Sequence, residues 1–149
     1  MKIVSARFYR LTLPFRSSYR HHLAERTENE SIILRLRSQT GLRGLGECIP
    51  RSYLTGETVS GAEEALSGPL LEDLIGRKIG SWGELRDLLA ERGDEAERSG
   101  RLAAFAAVDM ALVDLWARSQ GQSVAALLGG VKRWLFDYSG SLSAGSRWR

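Results

Sequence analysis

The chain has 149 residues, 43% of them hydrophobic and 26% charged, enough for one globular domain with its own core. Its net charge of +3 rests on 18 arginines against three lysines (Lys2, Lys78 and Lys132), scattered and interleaved with acids as in Glu84-Leu85-Arg86-Asp87. That is the pattern of a solvated mixed-charge surface, not of a nucleic-acid binder, which gathers its basic residues into a stripe beside exposed aromatics.

Residues 3–13 alternate and carry Ile3, Val4, Phe8, Tyr9, Leu11 and Leu13, predicting a first strand stopped by Pro14, which cannot donate to a ladder. Residues 15–30 are polar and without a clean period, and are expected to form a long connection of the kind that serves function. Ser31 to Ser38 predicts a second strand, with Ile32, Leu34 and Leu36 on one face and Ile33, Arg35 and Arg37 on the other. Gln39-Thr40-Gly41 makes a turn, and Leu42 to Ile49 a third strand completing a hairpin. Gly44 and Gly46 in that strand suit the close approach of another element.

Pro50 to Glu57 is a second loop, and Thr58, or Ser60 with Glu63 three residues on, is the cap of a helix. The helical stretch runs from about 59 to 75, is interrupted near Gly68-Pro69, and is closed by Gly76. Ser81 caps a helix reaching about Glu91, and Arg92 to Gly100 reads as a charged linker. Leu102 to Ala117 is apolar on nearly every side, so it must be buried on nearly every side. A short helix from Ser123 to Leu128 stops at Gly129-Gly130. Trp134 to Leu142 (Phe136, Tyr138) reads as one more strand with no partner in the three-stranded sheet, a liability unless something larger follows. The chain is therefore expected to stop early.

Individual side chains have ordinary readings. Cys48, the only cysteine, excludes an internal disulfide and a cysteine metal site and suits a small buried hydrophobe in a reducing compartment. His21 and His22 are adjacent, a poor arrangement for chelating one metal. Glu47 is expected to pair with an arginine. Asp109 and Asp114 lie about 140° apart around a helix, so each is expected to hydrogen-bond a neighbouring loop. The N-terminus lacks the apolar run of a secretion signal, and no window is apolar enough to span a bilayer. A soluble, cytoplasmic protein with no membrane or nucleic-acid partner is the expectation.

Gly44-Leu45-Gly46-Glu47-Cys48, followed by Pro50-Arg51-Ser52-Tyr53-Leu54-Thr55-Gly56-Glu57-Thr58, resembles the muconate-lactonizing-enzyme subgroup of the enolase superfamily. Ala107-Val108-Asp109-Met110-Ala111-Leu112-Val113-Asp114-Leu115-Trp116 resembles the last helix of its capping domain, and Val124 to Gly130 the turn leading into its barrel. The resemblance covers residues 2 to 143. It implies an α+β fold, a three-stranded antiparallel meander followed by a helical bundle. Residues 1–130 would form the capping domain, and 131–149 the stray first strand of a truncated barrel domain.

The chemistry implied for the complete enzyme is magnesium-dependent proton abstraction α to a carboxylate, in a racemase, epimerase or cycloisomerase. The implied lysine bases and metal ligands belong to the barrel, and no Lys-x-Lys pair occurs here. The chain is therefore expected to hold no catalytic residue and no cofactor and to be inactive alone. A small carboxylate substrate is the implied ligand, with a barrel-bearing chain or a second copy as partner. Two lid loops are implied to meet it: Tyr19, Arg20, His21, His22 and Arg26 in the first, and Arg51, Tyr53, Leu54 and Thr55 in the second. The alternative is a stand-alone binding or interaction module that has lost the barrel.

Overall fold

The computed structural model describes residues 1–21, 24–135 and 137, and only the backbone of Ser17, Tyr19, Arg20, His21 and Ala24. Three antiparallel strands, β1 (Ile3–His21), β2 (Ala24–Ser38) and β3 (Arg43–Cys48), lie in the order β1-β2-β3. They precede α1 (Val59–Ser67), a short 3-10 turn (Glu72–Leu74), α2 (Trp82–Arg98), α3 (Leu102–Ser119) and α4 (Val124–Leu127). This is the α+β meander-and-helices architecture expected from the sequence. The first strand is tied at its start: Met1 and Ile3 exchange backbone hydrogen bonds of 2.7–3.1 Å with residues 76–79.

The core forms where the inner faces of β2 and β3 meet α1, α2 and α3. Ile32, Leu34, Leu36, Leu85, Leu112 and Leu115 are each 0–1% exposed. Burying each such side chain contributes about 1.5–3 kcal/mol. α3 crosses β3 so closely that ordinary side chains would not fit between them. A methyl group on Gly46 would lie 1.9 Å from the carbonyl oxygen of Ala107, and one on Gly44 2.1 Å from that of Ala111. The two glycines therefore do what their place in the strand suggests. Asp114 fastens the crossing, its Oδ2 accepting the Leu45 amide at 3.0 Å while Oδ1 accepts Arg118 Nε at 2.9 Å.

Five expectations change. Residues 15–30 are not a free connection, because β1 continues to His21 and β2 starts at Ala24. Pro14 still pairs with Glu28, and Tyr19 pairs with Arg26, so four residues of β1 bulge opposite Thr27 alone. That bulge erases the period of two by which a strand is read. Pro14 is tolerated because β1 is an edge strand. Next, α2 does not end near Glu91 but runs through the charged stretch to Arg98. Asp94, Glu95, Glu97 and Arg98 face water, Arg92 is held by Asp73 at 2.6 Å and the Pro69 carbonyl at 3.0 Å, Ala96 is buried, and the Phe105 ring packs over Gly93. Then, Glu47 is exposed and has no ion-pair partner among the described residues.

The fourth concerns the helix acids. Asp114 bonds a strand instead of a loop, and Asp109 has no hydrogen bond among the described residues. Burial raises the Asp109 carboxyl above its usual range. A raised carboxyl pKa means the unfolded chain ionises first as pH climbs, so stability is lost between the ordinary aspartate value and the folded one. Asp109→Asn is expected to raise the urea midpoint at pH 7 and to leave it unchanged near pH 3. Of the strand expected at Trp134–Leu142, Trp134, Leu135 and Asp137 are not in a strand and the rest lies outside the described residues.

The sheet also gathers arginines that the sequence spreads out. Arg7 pairs with Arg35 and Arg37 with Arg43 across the outer face. Arg35 lies 5.5 Å over the Tyr9 ring. None of the four has an ion-pair partner among the described residues, and directly opposed like charges destabilise a sheet. Arg37→Glu is expected to raise the unfolding free energy by about 0.2–1 kcal/mol, measured by urea denaturation in low salt.

Candidate functional site

At the far end of the sheet, the β1–β2 ribbon stands beside the loop joining β3 to α1. Between them lies an open cleft of about 480 Å³, lined by Arg10, Arg26, Arg51, Tyr53 and Glu57 among others. Each wall is positioned by the fold. Arg10 follows Phe8 on the inner face of β1, just beyond the core. There it donates to Glu30 through Nε (3.1 Å) and Nη2 (2.5 Å) and lies 3.6 Å from Glu63 of α1. The Glu30 bond and charge raise the Arg10 pKa further.

Arg26 stacks 5.6 Å over the Phe15 ring and donates to the Glu28 carbonyl at 2.9 Å and to Asn29 Oδ1 at 3.2 Å. Arg51 reaches across from the loop and donates to the same Asn29 oxygen, to the Pro50 carbonyl at 3.1 Å and to the Glu30 carbonyl at 3.4 Å. Burial, followed by the charge of Arg26, lowers the Arg51 pKa from its ordinary value. Asn29 thus joins the ribbon to the loop.

The loop is held from its other side by Glu57, which is 8% exposed. Its carboxylate accepts the amides of Ala103 (2.6 Å) and Ala104 (3.1 Å) at the first turn of α3. Arg101, in the N-cap position, offers no side-chain acceptor, so the orphan donors of that helix end are met by a residue 46 positions upstream. Thr58 begins α1 by accepting the Gly61 amide at 3.0 Å, as its place before the helix suggests. Cys48 is buried beneath this end, and burial pushes its thiol up to about 11, that of an inert side chain.

Of the expected site residues, Arg26, Arg51 and Tyr53 meet in the cleft. Leu54 is 73% exposed and lies outside it. Thr55 also lies outside, its hydroxyl donating to the Arg51 carbonyl at 3.1 Å within the loop turn. Tyr19, Arg20 and His21 sit on the distal ribbon, where their backbones pair with Arg26, Glu25 and Ala24; His22 lies outside the described residues. Arg10, Asn29, Glu30 and Glu57 are site-building residues that sequence reasoning passed over. Only Glu57 left a trace, in a long apolar helix that starts at Leu102 with no capping side chain before it.

Residues 8–129 match the family described as mandelate racemase / muconate lactonizing enzyme, N-terminal domain. The chain belongs to this family. An L-Lys-D/L-Arg epimerase of Methylococcus capsulatus is 36% identical over 126 residues, spanning 85% of this chain and 33% of that enzyme. An L-Ala-D/L-Glu epimerase of Bacillus subtilis is 29% identical over 149 residues, 97% of this chain and 38% of the enzyme. The substrate-liganded structure of the Bacillus subtilis enzyme superimposes with a TM-score of 0.77 at 30% identity, covering 87% of this chain and 35% of that one. The Methylococcus capsulatus dipeptide epimerase, complexed with Mg and the dipeptide L-Arg-D-Lys, gives 0.73 at 34% identity, covering 87% and 35%. The chain spans about a third of the length of these relatives.

Whether this domain's residues suit a magnesium ion can be judged from its donors. Among the described residues no three of His, Cys, Asp and Glu converge. The cleft carboxylates Glu30 and Glu57 are occupied by Arg10 and by the α3 amides. The described residues of this domain do not fit the ion. Among the described residues no helix is long and apolar enough to cross a membrane.

Proposed function

We propose that this domain is the lid and specificity element of a mandelate racemase/muconate lactonizing-type isomerase, covering a barrel that abstracts a proton α to a carboxylate. The observation that supports this most is the meeting of the ribbon and the 50–57 loop around one polar cleft, tied through Asn29. A lid of this kind excludes water from a reacting site, which strengthens electrostatic interactions inside it, and its side chains sort substrates by their distal groups. The kinship with dipeptide epimerases makes a dipeptide or N-acylated amino acid the substrate class to try first.

The test is an isomerisation assay with magnesium over a panel of acidic, basic and apolar dipeptides. It is run on the 149-residue chain alone and with a barrel-bearing polypeptide of the same family. The expected result is turnover only in the second case, with Arg51→Ala raising KM for the preferred dipeptide more than it lowers kcat. Magnesium-dependent turnover by the chain alone would refute the proposal, and so would a reconstituted enzyme indifferent to substitutions in both loops.

A further inference from the structure

Two guanidiniums meet at one neutral oxygen. Arg26 and Arg51 both donate to Asn29 Oδ1; their other partners are the carbonyls of Glu28, Pro50 and Glu30, the Phe15 ring beneath Arg26, and the Tyr53 side chain, which hydrogen-bonds Arg51. Amide and carbonyl oxygens satisfy N–H donors without cancelling the positive charge. Among the described residues neither arginine forms an ion pair, although the cleft is lined by four glutamates. Glu30 is held by Arg10 at 2.5 Å, Glu57 is spent on α3, and Glu25 has an interaction of its own. Among the described residues Glu28 alone of the four is left without a partner, and Glu30, though bonded to Arg10, also attracts Arg51. Holding like charges together in a partly buried place costs free energy that a bound anion would recover. Two planar forks beside each other suit a carboxylate, which can accept from both.

We infer that Arg26 and Arg51, held by Asn29, form a subsite for the anionic end of the ligand, so that the substrate carries a carboxylate distal to its reacting centre. The inference rests on the lid reading for the ligand's identity as substrate, but the subsite lies wholly within this chain. It also sets the domain apart from its relative in Methylococcus capsulatus, solved with L-Arg-D-Lys. Asn29 is a positioning residue here: it keeps two like charges at one place without neutralising either.

The full chain can be titrated with three probes of equal length, glutarate, glutaramide and cadaverine. Binding is followed by the Nε–Hε NMR signals of Arg26 and Arg51, with thermal melting as a check on folding. Glutarate is expected to move both signals and to bind at least about tenfold more tightly than glutaramide, as expected if one charge-assisted hydrogen bond is at stake. Cadaverine is expected to move neither. Arg51→Gln and Asn29→Asp should each weaken glutarate about tenfold, the first by removing a cation and the second by supplying the carboxylate internally. Arg51→Lys, which keeps the charge without the fork, should recover part of the loss.

Equal binding of glutarate and glutaramide, preference for cadaverine, or unchanged glutarate binding in Asn29→Asp would each overturn the inference. Should a variant fail to fold, the three-probe comparison on the unaltered chain still decides. Preference for cadaverine alongside a loop-dependent KM in the reconstituted enzyme would sink the anionic subsite and leave the lid reading standing.

Discussion

Gly46→Ala is expected to unfold the domain or to lower its stability by at least about 3 kcal/mol. The added methyl would lie 1.9 Å from the Ala107 carbonyl oxygen, 2.8 Å from its carbon and 2.9 Å from the Ala111 nitrogen. All three are backbone atoms, so no side chain can swing aside, and relief requires α3 to lift from β3. Inserting a methylene into a packed core ordinarily costs about 1–3 kcal/mol, and a backbone obstacle puts this case at or above the upper end. A domain holds only about 5–15 kcal/mol in all. Gly44→Ala meets the Ala111 carbonyl at 2.1 Å and Leu115 Cβ at 2.6 Å and should behave alike.

A control separates this collision from any general effect of replacing glycine. Gly83→Ala, in the first turn of α2, meets nothing nearer than Ser81 Oγ at 3.7 Å. It should therefore stabilise, by up to about 1 kcal/mol of helix propensity. Urea denaturation of the three variants, followed by circular dichroism, checks both signs. A cooperative Gly46→Ala protein melting within a degree of the parent would disprove the backbone contact.

Glu57→Ala is expected to cost about 2–3 kcal/mol while leaving the strands intact. Its carboxylate takes two amides at a helix N-terminus, where negative charge is favoured by the helix dipole. Truncation leaves the Ala104 amide buried without an acceptor, and such an orphan costs about 1–3 kcal/mol. Glu57→Gln keeps one acceptor without the charge and should lose about half as much. Amide hydrogen exchange locates the effect: Ala103 and Ala104 should exchange faster, and the 50–57 loop with them, because Glu57 is the loop's attachment to α3. Unchanged protection at Ala103 and Ala104 would show that the helix end is satisfied in another way.

The regular elements were legible where one periodicity held over their whole length. Ile32, Leu34 and Leu36 against Arg35 and Arg37 could only be a half-buried strand, and Thr58, Ser81 and Ser123 each accept the amide three residues on, as a capping side chain does. Legibility failed where local pattern and tertiary setting diverge. The ribbon beyond Pro14 read as a loop because its bulge breaks the alternation, and pairing with β2 holds it extended all the same. The end of α2 has the charge density of a linker, yet Asp94, Glu95, Glu97 and Arg98 lie on the solvent side of the helix and Arg92 is paired with Asp73, so neither interrupts it. The candidate site was half visible. Arg26, Arg51 and Tyr53 were named from the family resemblance, while Asn29 and Glu57 were invisible, since neither has a local pattern and both act on partners far along the chain.

By itself, then, the sequence determined that this is an α+β domain with a meander, a glycine-lined third strand and a helix too apolar to stand free. Those properties depend on neighbours within a turn or a pleat, where spacing alone decides which side chains share a face. Only the tertiary structure decided that Asn29 ties two arginines from separate segments and that Glu57 caps a helix 46 residues away. Contacts between groups so distant along the chain depend on how elements pack, and no local period records them.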